Sequence, residues 1–156
     1  MSRISIQNRK WVGTLLVTLQ FGLLSGLAVL AVPQALSHPI PLGVWATAGA
    51  AVALAAWTLI YNRPGNFNIR PTPKSRGSLI TTGPYRHIRH PMYTSVLLGG
   101  GSLAWLADPI TGWLTWMALA LVLVVKSSLE ERWMREQHQG YSAYVQRSKR
   151  FLPWLI

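Results

Sequence analysis

Residues 83–93 read Gly-Pro-Tyr-Arg-His-Ile-Arg-His-Pro-Met-Tyr and stand directly before an apolar run. Basic or titratable side chains fill most of the interval between Pro84 and Pro91. A second polar site, Glu130-Glu131, follows the next hydrophobic hairpin, and its two glutamates are half of the four acidic residues in the chain. The ends of a helical hairpin meet, so we expect these two sites to form one pocket.

The composition excludes an ordinary soluble domain. The 156 residues are 50% hydrophobic and 12% charged, with a mean hydropathy of +0.25, whereas soluble domains carry ~25% charged residues. A net charge of +11 would indicate a nucleic-acid partner in a soluble protein. Residues 12–61, however, contain no charged side chain, and a bilayer requires such runs. We therefore expect a multi-pass integral membrane protein with no nucleic-acid partner.

Four apolar segments predict membrane spans, at residues 12–32, 42–61, 92–107 and 110–125. The third is shorter than the usual ~17–25 residues. Pro33 is expected to end the first span, and Gln20, strongly polar in mid-span, to face another helix. The predicted fold class is all-α, a polytopic membrane helix bundle of four transmembrane helices. Residues 1–156 form one domain with an N-terminal hairpin (1–61) and a second region (62–156), which contains a cytoplasmic loop, the second hairpin and a C-terminal helix.

The basic residues predict the orientation of the chain. All fifteen lysines and arginines fall before residue 11, within 62–90 or after Val125, and none falls in the connections 33–41 and 107–109. The positive-inside rule then places both termini and the central connection in the cytoplasm. A bacterial-type inner membrane is the expected location.

Each polar site also has a purely structural interpretation. The run His87-Ile88-Arg89-His90 suits a patch that binds lipid headgroups, and Glu131 and Arg135 are spaced for an ion pair on a helix surface. No metal site is predicted, because two histidines three residues apart supply too few ligands and the chain has no cysteine. Spacing alone leaves the structural and functional interpretations open.

The combination of motifs resembles a known superfamily. Gly83-Pro84-Tyr85, Arg89-His90-Pro91, Tyr93 and Glu130-Glu131 resemble the signature of the isoprenylcysteine carboxyl methyltransferases and phospholipid methyltransferases. The similarity covers about residues 62–155. It implies a membrane-embedded methyltransferase that depends on S-adenosylmethionine, with region 62–156 as the cofactor region. The cofactor would lie in a cytoplasmic pocket, partly covered by the central loop and the C-terminal segment.

The resemblance also implies roles for individual residues. Lys126 occupies the position of an arginine that contacts substrate in the carboxyl methyltransferases, although an ammonium is not a bidentate fork. Arg89 and His90 would be catalytic, with His90 as the base if the acceptor needs one. The implied cofactor-binding residues are Gly77, Ser78, Leu79, Ile80, Tyr85, His90, Pro91, Met92, Tyr93, Glu130 and Glu131.

The expected reaction is methyl transfer to a lipophilic small molecule or lipid at the cytoplasmic membrane face, with the lipid bilayer as a partner. Such a displacement needs alignment and exclusion of water more than it needs an acid–base pair. Two other functions stay open. One is an NADPH-dependent membrane reductase, whose anionic cofactor would suit the basic loop, and the other is a non-catalytic membrane subunit of the same fold.

Overall fold

A computed structural model describes residues 6–62, 68–72 and 77–153 of the chain. Its helices are α1 (Ile6–Ser37), α2 (Leu42–Asn62), α3 (Pro91–Leu106), α4 (Pro109–Gln137) and α5 (Tyr141–Arg147), with a 3-10 turn at Gly83–Arg86. Within the described ranges there is no β-strand, only an isolated parallel bridge between Ile88 and Lys149. The prediction of an all-α fold is confirmed.

Three helices in the described part of the chain are long and apolar enough to cross a membrane, namely Gln7–Ser37, Leu42–Asn62 and Pro109–Gln137. By contrast, α3 has 16 residues, which is about 24 Å of helix at 1.5 Å per residue. That is less than the ~30 Å of a hydrocarbon core. Membrane-crossing helices are therefore present, and a fourth crossing by α3 stays a prediction.

The prediction that Pro33 ends the first helix is wrong. Helix α1 begins at Ile6 and continues through Pro33 to Ser37. Proline removes one hydrogen bond, to the carbonyl four residues earlier, but the following turn still forms, and the His38 amide donates to the Gln34 carbonyl at 3.0 Å. Because Pro33 lies in the last turns of the helix, few bonds remain to be lost beyond it. Helix α4 contains the predicted span 110–125 and continues beyond it to Gln137.

Helix α3 lies at the centre of the bundle, in contact with α1, α2 and α4. At one end of the bundle, glycines allow the helices to approach closely. A Cβ on Gly43 would lie 2.6 Å from the ring of Trp105, and one on Gly112 would lie 2.7 Å from the carbonyl oxygen of Ala104. The start of α2 and the start of α4 therefore both pack against the end of α3.

The opposite end of the bundle carries most of the charged side chains of the described residues. The Arg9 guanidinium donates to the Glu136 carboxylate at 2.7 Å, which joins the start of α1 to the end of α4. Gly83 has a φ of +60°, and a Cβ there would lie 2.4 Å from the ring of Tyr61. Only glycine fits this turn without strain. The close approach of Gly83 to the Tyr61 ring holds the 3-10 turn against the end of α2.

Candidate active site

The C-terminal segment, residues 141–153, is paired with the stretch that precedes α3. The Arg89 amide donates to the Lys149 carbonyl at 2.7 Å, the His90 amide to the Arg150 carbonyl at 3.1 Å, and the Lys149 amide to the His87 carbonyl at 3.0 Å. Helix α3 begins immediately afterwards at Pro91, where the missing amide hydrogen costs nothing. This pairing fixes the position of His90 at the mouth of the bundle.

Glu131 is the buried acceptor of a cluster of basic side chains. Its side chain lies 2.9 Å from Arg89 Nε, 3.2 Å from His90 Nε2, 3.3 Å from Arg150 Nε and 3.5 Å from Arg135 Nη2. Glu131 is only 1% exposed, and a buried carboxylate needs such partners. The Glu131 cluster therefore ties α4 to the residues before α3 and to the C-terminal segment. The pair with Arg135 shows that the structural interpretation of this spacing also holds.

Arg89 contributes further contacts to this cluster. Its guanidinium donates to the carbonyl oxygen of Val145 at 3.3 Å and to that of Ser148. These carbonyls lie at the C-terminal end of α5, where helix carbonyls have no intrahelical partner. Arg89 thus anchors α5 to α4 through Glu131, and its catalytic role stays a prediction.

Glu130 has a different environment from its neighbour. The Tyr93 hydroxyl donates to Glu130 Oε2 at 2.7 Å, and His90 Nδ1 lies 3.9 Å from the same oxygen. The rings of His90 and Tyr93 are stacked, with centroids 5.3 Å apart and planes 3° from parallel. The side chain of Glu130 is 32% exposed. It therefore retains access to a ligand, which Glu131 does not.

A cavity of about 340 Å³ lies between the helix ends and the loop residues, within the ~300–1,000 Å³ typical of ligand sites. The structure brings nearly all of the sequence-predicted site residues to this one cavity. Its lining includes Gly77, Ser78, Leu79, Ile80, Tyr85, Arg89, His90, Pro91, Met92, Tyr93, Lys126 and Glu130.

Glu131 is the predicted site residue that does not line the cavity. Successive residues of an α-helix are about 100° apart around its axis, since one turn takes 3.6 residues. Glu130 therefore faces the cavity while Glu131 points into the Glu131 cluster. The expectation that both glutamates lie beside one ligand does not fit this geometry.

The phenol groups around the cavity are hydrogen-bond donors at neutral pH. Burial raises the pKa of Tyr85 above its ordinary value of 10.0, and the charge of Glu130 raises it further. Burial likewise raises the pKa of Tyr141 and of Tyr144. The Tyr144 hydroxyl donates to the Tyr85 carbonyl at 2.7 Å, which fastens α5 over the 3-10 turn. None of these three phenols is suited to act as a base.

Comparison with known proteins identifies the family. The model of the phospholipid methyltransferase family matches residues 40–140, which is more than half of the chain. The chain belongs to this family. No curated protein and no solved structure matched the chain. As a member of the phospholipid methyltransferase family with long apolar helices, the protein is an integral membrane protein of a methyltransferase family.

The family match and the motif resemblance differ in extent. The match includes α2, to which sequence analysis assigned no family signal, and it stops before α5. In this phospholipid methyltransferase family member the cavity reaches beyond the matched range at both ends. Gln20, Phe21 and Leu24 line it from α1, and Tyr141 and Tyr144 line it from α5.

None of these five residues was among the predicted site residues, although the C-terminal segment that contains Tyr141 and Tyr144 was expected to cover the pocket. The available signal was in α1, where Gln20 is strongly polar within an apolar span. The prediction that it faces another helix is confirmed, because Gln20 Oε1 accepts a hydrogen bond from Lys126 Nζ at 2.6 Å. Phe21 and Leu24 carried no comparable signal, since apolar residues are expected throughout such a helix.

Proposed function

We propose that the protein transfers a methyl group from S-adenosylmethionine to a lipophilic acceptor at the cytoplasmic face of the membrane. The observation that carries the proposal is a single cavity that combines a carboxylate, protonated phenols and apolar side chains from membrane helices. Membership of a methyltransferase family supports methyl transfer over reduction by NADPH or a non-catalytic role.

The charges around the cavity fit S-adenosylmethionine. When bound, this cofactor supplies an electrophilic methyl group, while the protein supplies binding and orientation. We assign the contact with its ammonium to Glu130, whose carboxylate lines the cavity and is oriented by Tyr93. Residues 77–80 and Tyr85 contribute further lining. The cavity volume of about 340 Å³ is of the order expected for such a ligand.

The surrounding residues orient reactants and exclude water. The C-terminal segment covers the cavity with Tyr141 and Tyr144, held there by the Arg89 contacts with α4 and α5. We assign the role of base, for an acceptor that must lose a proton, to His90. Its Nε2 lies 3.2 Å from Glu131, which fixes the ring, and its Nδ1 faces Glu130 at 3.9 Å. This arrangement offers a path for a proton toward the more exposed carboxylate.

The acceptor is proposed to reach the cavity from the bilayer. Phe21 lines the cavity and is 50% exposed on a membrane helix, and Leu24 and Val96 extend the apolar lining. The cavity therefore adjoins a surface that lipid covers. A buried chain contributes ~0.8 kcal/mol for each CH₂ group, which favours an acyl or prenyl acceptor. Lys126, at the same side of the cavity, is the proposed contact for the polar head of the acceptor.

Transfer of label tests this function. The purified protein is placed in nanodiscs and incubated with methyl-labelled S-adenosylmethionine and a total lipid extract, and labelled lipids are separated and identified. We expect label in a lipid fraction, and much less of it with Glu130→Gln. Consumption of NADPH is followed in parallel as the test of the reductase alternative. Failure of the wild-type protein to bind S-adenosylmethionine would refute the proposal.

A further inference from the structure

A contact between α1 and α4 lies inside the cavity wall. Lys126 is 1% exposed and Gln20 is 6% exposed, and Lys126 Nζ donates to Gln20 Oε1 at 2.6 Å. Both residues line the cavity. The family match begins at residue 40, so Gln20 lies outside the matched region while its partner Lys126 lies within it. Nothing in the family assignment gives α1 a role in the site.

Among the described residues, Lys126 makes no ion pair with an acidic side chain, although the charge of Glu130, four residues further along α4, acts on it from a longer distance. Its Nζ lies 5.0 Å from the centre of the Tyr93 ring, a cation–π contact. In the described part of the chain no carboxylate lies within 4.0 Å of it. An ammonium has three donors, and the Gln20 amide satisfies one of them without neutralising the charge. Buried charges are normally paired, so a cation that faces a cavity in this way calls for an anionic group on the ligand.

We infer that Gln20 is a positioning residue of the site, holding the Lys126 ammonium in the cavity wall to pair with a carboxylate or phosphate of a bound ligand. The inference rests on the proposed function, because both the acceptor and S-adenosylmethionine can bring such a group. It makes α1 a functional part of the site. The amide is essential to this role, since a carboxylate at position 20 would hold the ammonium equally well but neutralise it.

Three substitutions separate positioning from packing. Gln20→Leu removes the acceptor of the hydrogen bond, whereas Gln20→Glu keeps an acceptor and cancels the charge. Gln34→Leu is the control, because it makes the same change at an exposed position near the end of α1. Each protein is placed in phosphatidylcholine nanodiscs, and the binding of labelled dodecyl phosphate, labelled dodecanol and S-adenosylmethionine is measured. Dodecyl phosphate reports an anionic headgroup on a lipid chain, and dodecanol reports the chain alone.

We expect Gln20→Leu and Gln20→Glu each to weaken the binding of an anionic probe about ten-fold, or about 1.4 kcal/mol, with dodecanol binding unchanged. Gln34→Leu should bind every probe as the wild type does. Loss confined to dodecyl phosphate assigns the anion to the acceptor, and loss confined to S-adenosylmethionine assigns it to the cofactor carboxylate. Either result supports the positioning role.

Two results would overturn the inference. One is wild-type binding of both anionic probes by Gln20→Leu. The other is a Gln20→Glu protein that binds dodecyl phosphate and S-adenosylmethionine normally, because a merely structural hydrogen bond survives that change. Thermal unfolding of all the variants shows whether they are folded. If the wild-type protein fails to bind S-adenosylmethionine, the proposed function falls, but the comparison of dodecyl phosphate with dodecanol still tests Gln20.

Discussion

The adjacent residues Glu130 and Glu131 should respond oppositely to the same substitution. Glu131→Gln removes the charge that faces Arg89 and His90, whose side chains are only 10% and 5% exposed. Breaking a buried ion pair on one side costs about 3–5 kcal/mol, because the partner charge stays buried without compensation. At ~2–4 °C per kcal/mol for a chain of this size, the midpoint of thermal unfolding should fall by roughly 10 °C.

The matched control is Glu130→Gln, one residue away on the same helix. Its side chain is 32% exposed and accepts one hydrogen bond from Tyr93, so the unfolding midpoint should change little. Its affinity for S-adenosylmethionine should instead fall about ten-fold or more, because a hydrogen bond to a charged group contributes about 1.5–3 kcal/mol. Tryptophan fluorescence in nanodiscs measures unfolding, and calorimetry measures binding.

Three results would contradict the proposed roles of Glu130 and Glu131. If Glu131→Gln unfolds within about 2 °C of the wild type, less than 1 kcal/mol has been lost, and the Glu131 cluster does not hold the fold. If Glu130→Gln binds S-adenosylmethionine with wild-type affinity, Glu130 is not the cofactor carboxylate. Equal losses of stability in the two variants would show that the division of roles between them is incorrect.

Three further predictions concern the turn, the orientation and the acceptor. Gly83→Ala should lower stability by about 1–3 kcal/mol because the φ of +60° and the Tyr61 ring leave no room for a Cβ, whereas Gly140→Ala, in open space, should be tolerated. Single cysteines at the exposed Ser37 and Ser142 should be labelled from outside and from inside the cell, respectively. The reverse pattern would contradict the positive-inside orientation. Transfer to a lipid acceptor should slow when extra bilayer dilutes that lipid at constant bulk concentration, and a rate set by bulk concentration alone would exclude entry from the membrane.

The sequence predicted the long helices well, because an unbroken apolar run is a strong signal. The predicted spans 42–61 and 110–125 correspond to α2 (Leu42–Asn62) and to the apolar part of α4. The end of α1 was mispredicted because the cost of Pro33 is local and the next turn still forms. The membrane crossing of α3 could not be decided, since 16 residues fall between a full span and a buried helix.

The site was predictable only in part. The run at residues 83–93 and Glu130 carry local motifs, and the structure places Tyr85, residues 89–93 and Glu130 at one cavity. Which of the two glutamates faces that cavity depends on how α4 is rotated about its own axis, and no local sequence motif indicates that rotation. The bond between Gln20 and Lys126 joins residues 106 positions apart. Contacts of that kind depend on the packing of α1 against α4, which the sequence pattern does not encode.

The contacts of Arg89 change how its substitution should be interpreted. One guanidinium joins the Glu131 carboxylate on α4 to two carbonyls at the end of α5, and lysine cannot reproduce that planar set of donors. Replacement of Arg89 therefore loosens the cover of the cavity whether or not Arg89 touches a reactant. Lost activity alone would not make it a catalytic residue. An Arg89 variant that loses turnover while it keeps its unfolding midpoint and its affinity for S-adenosylmethionine would show a catalytic role. Such a variant is hard to obtain, because Arg89 belongs to the Glu131 cluster that ties α4 to the C-terminal segment.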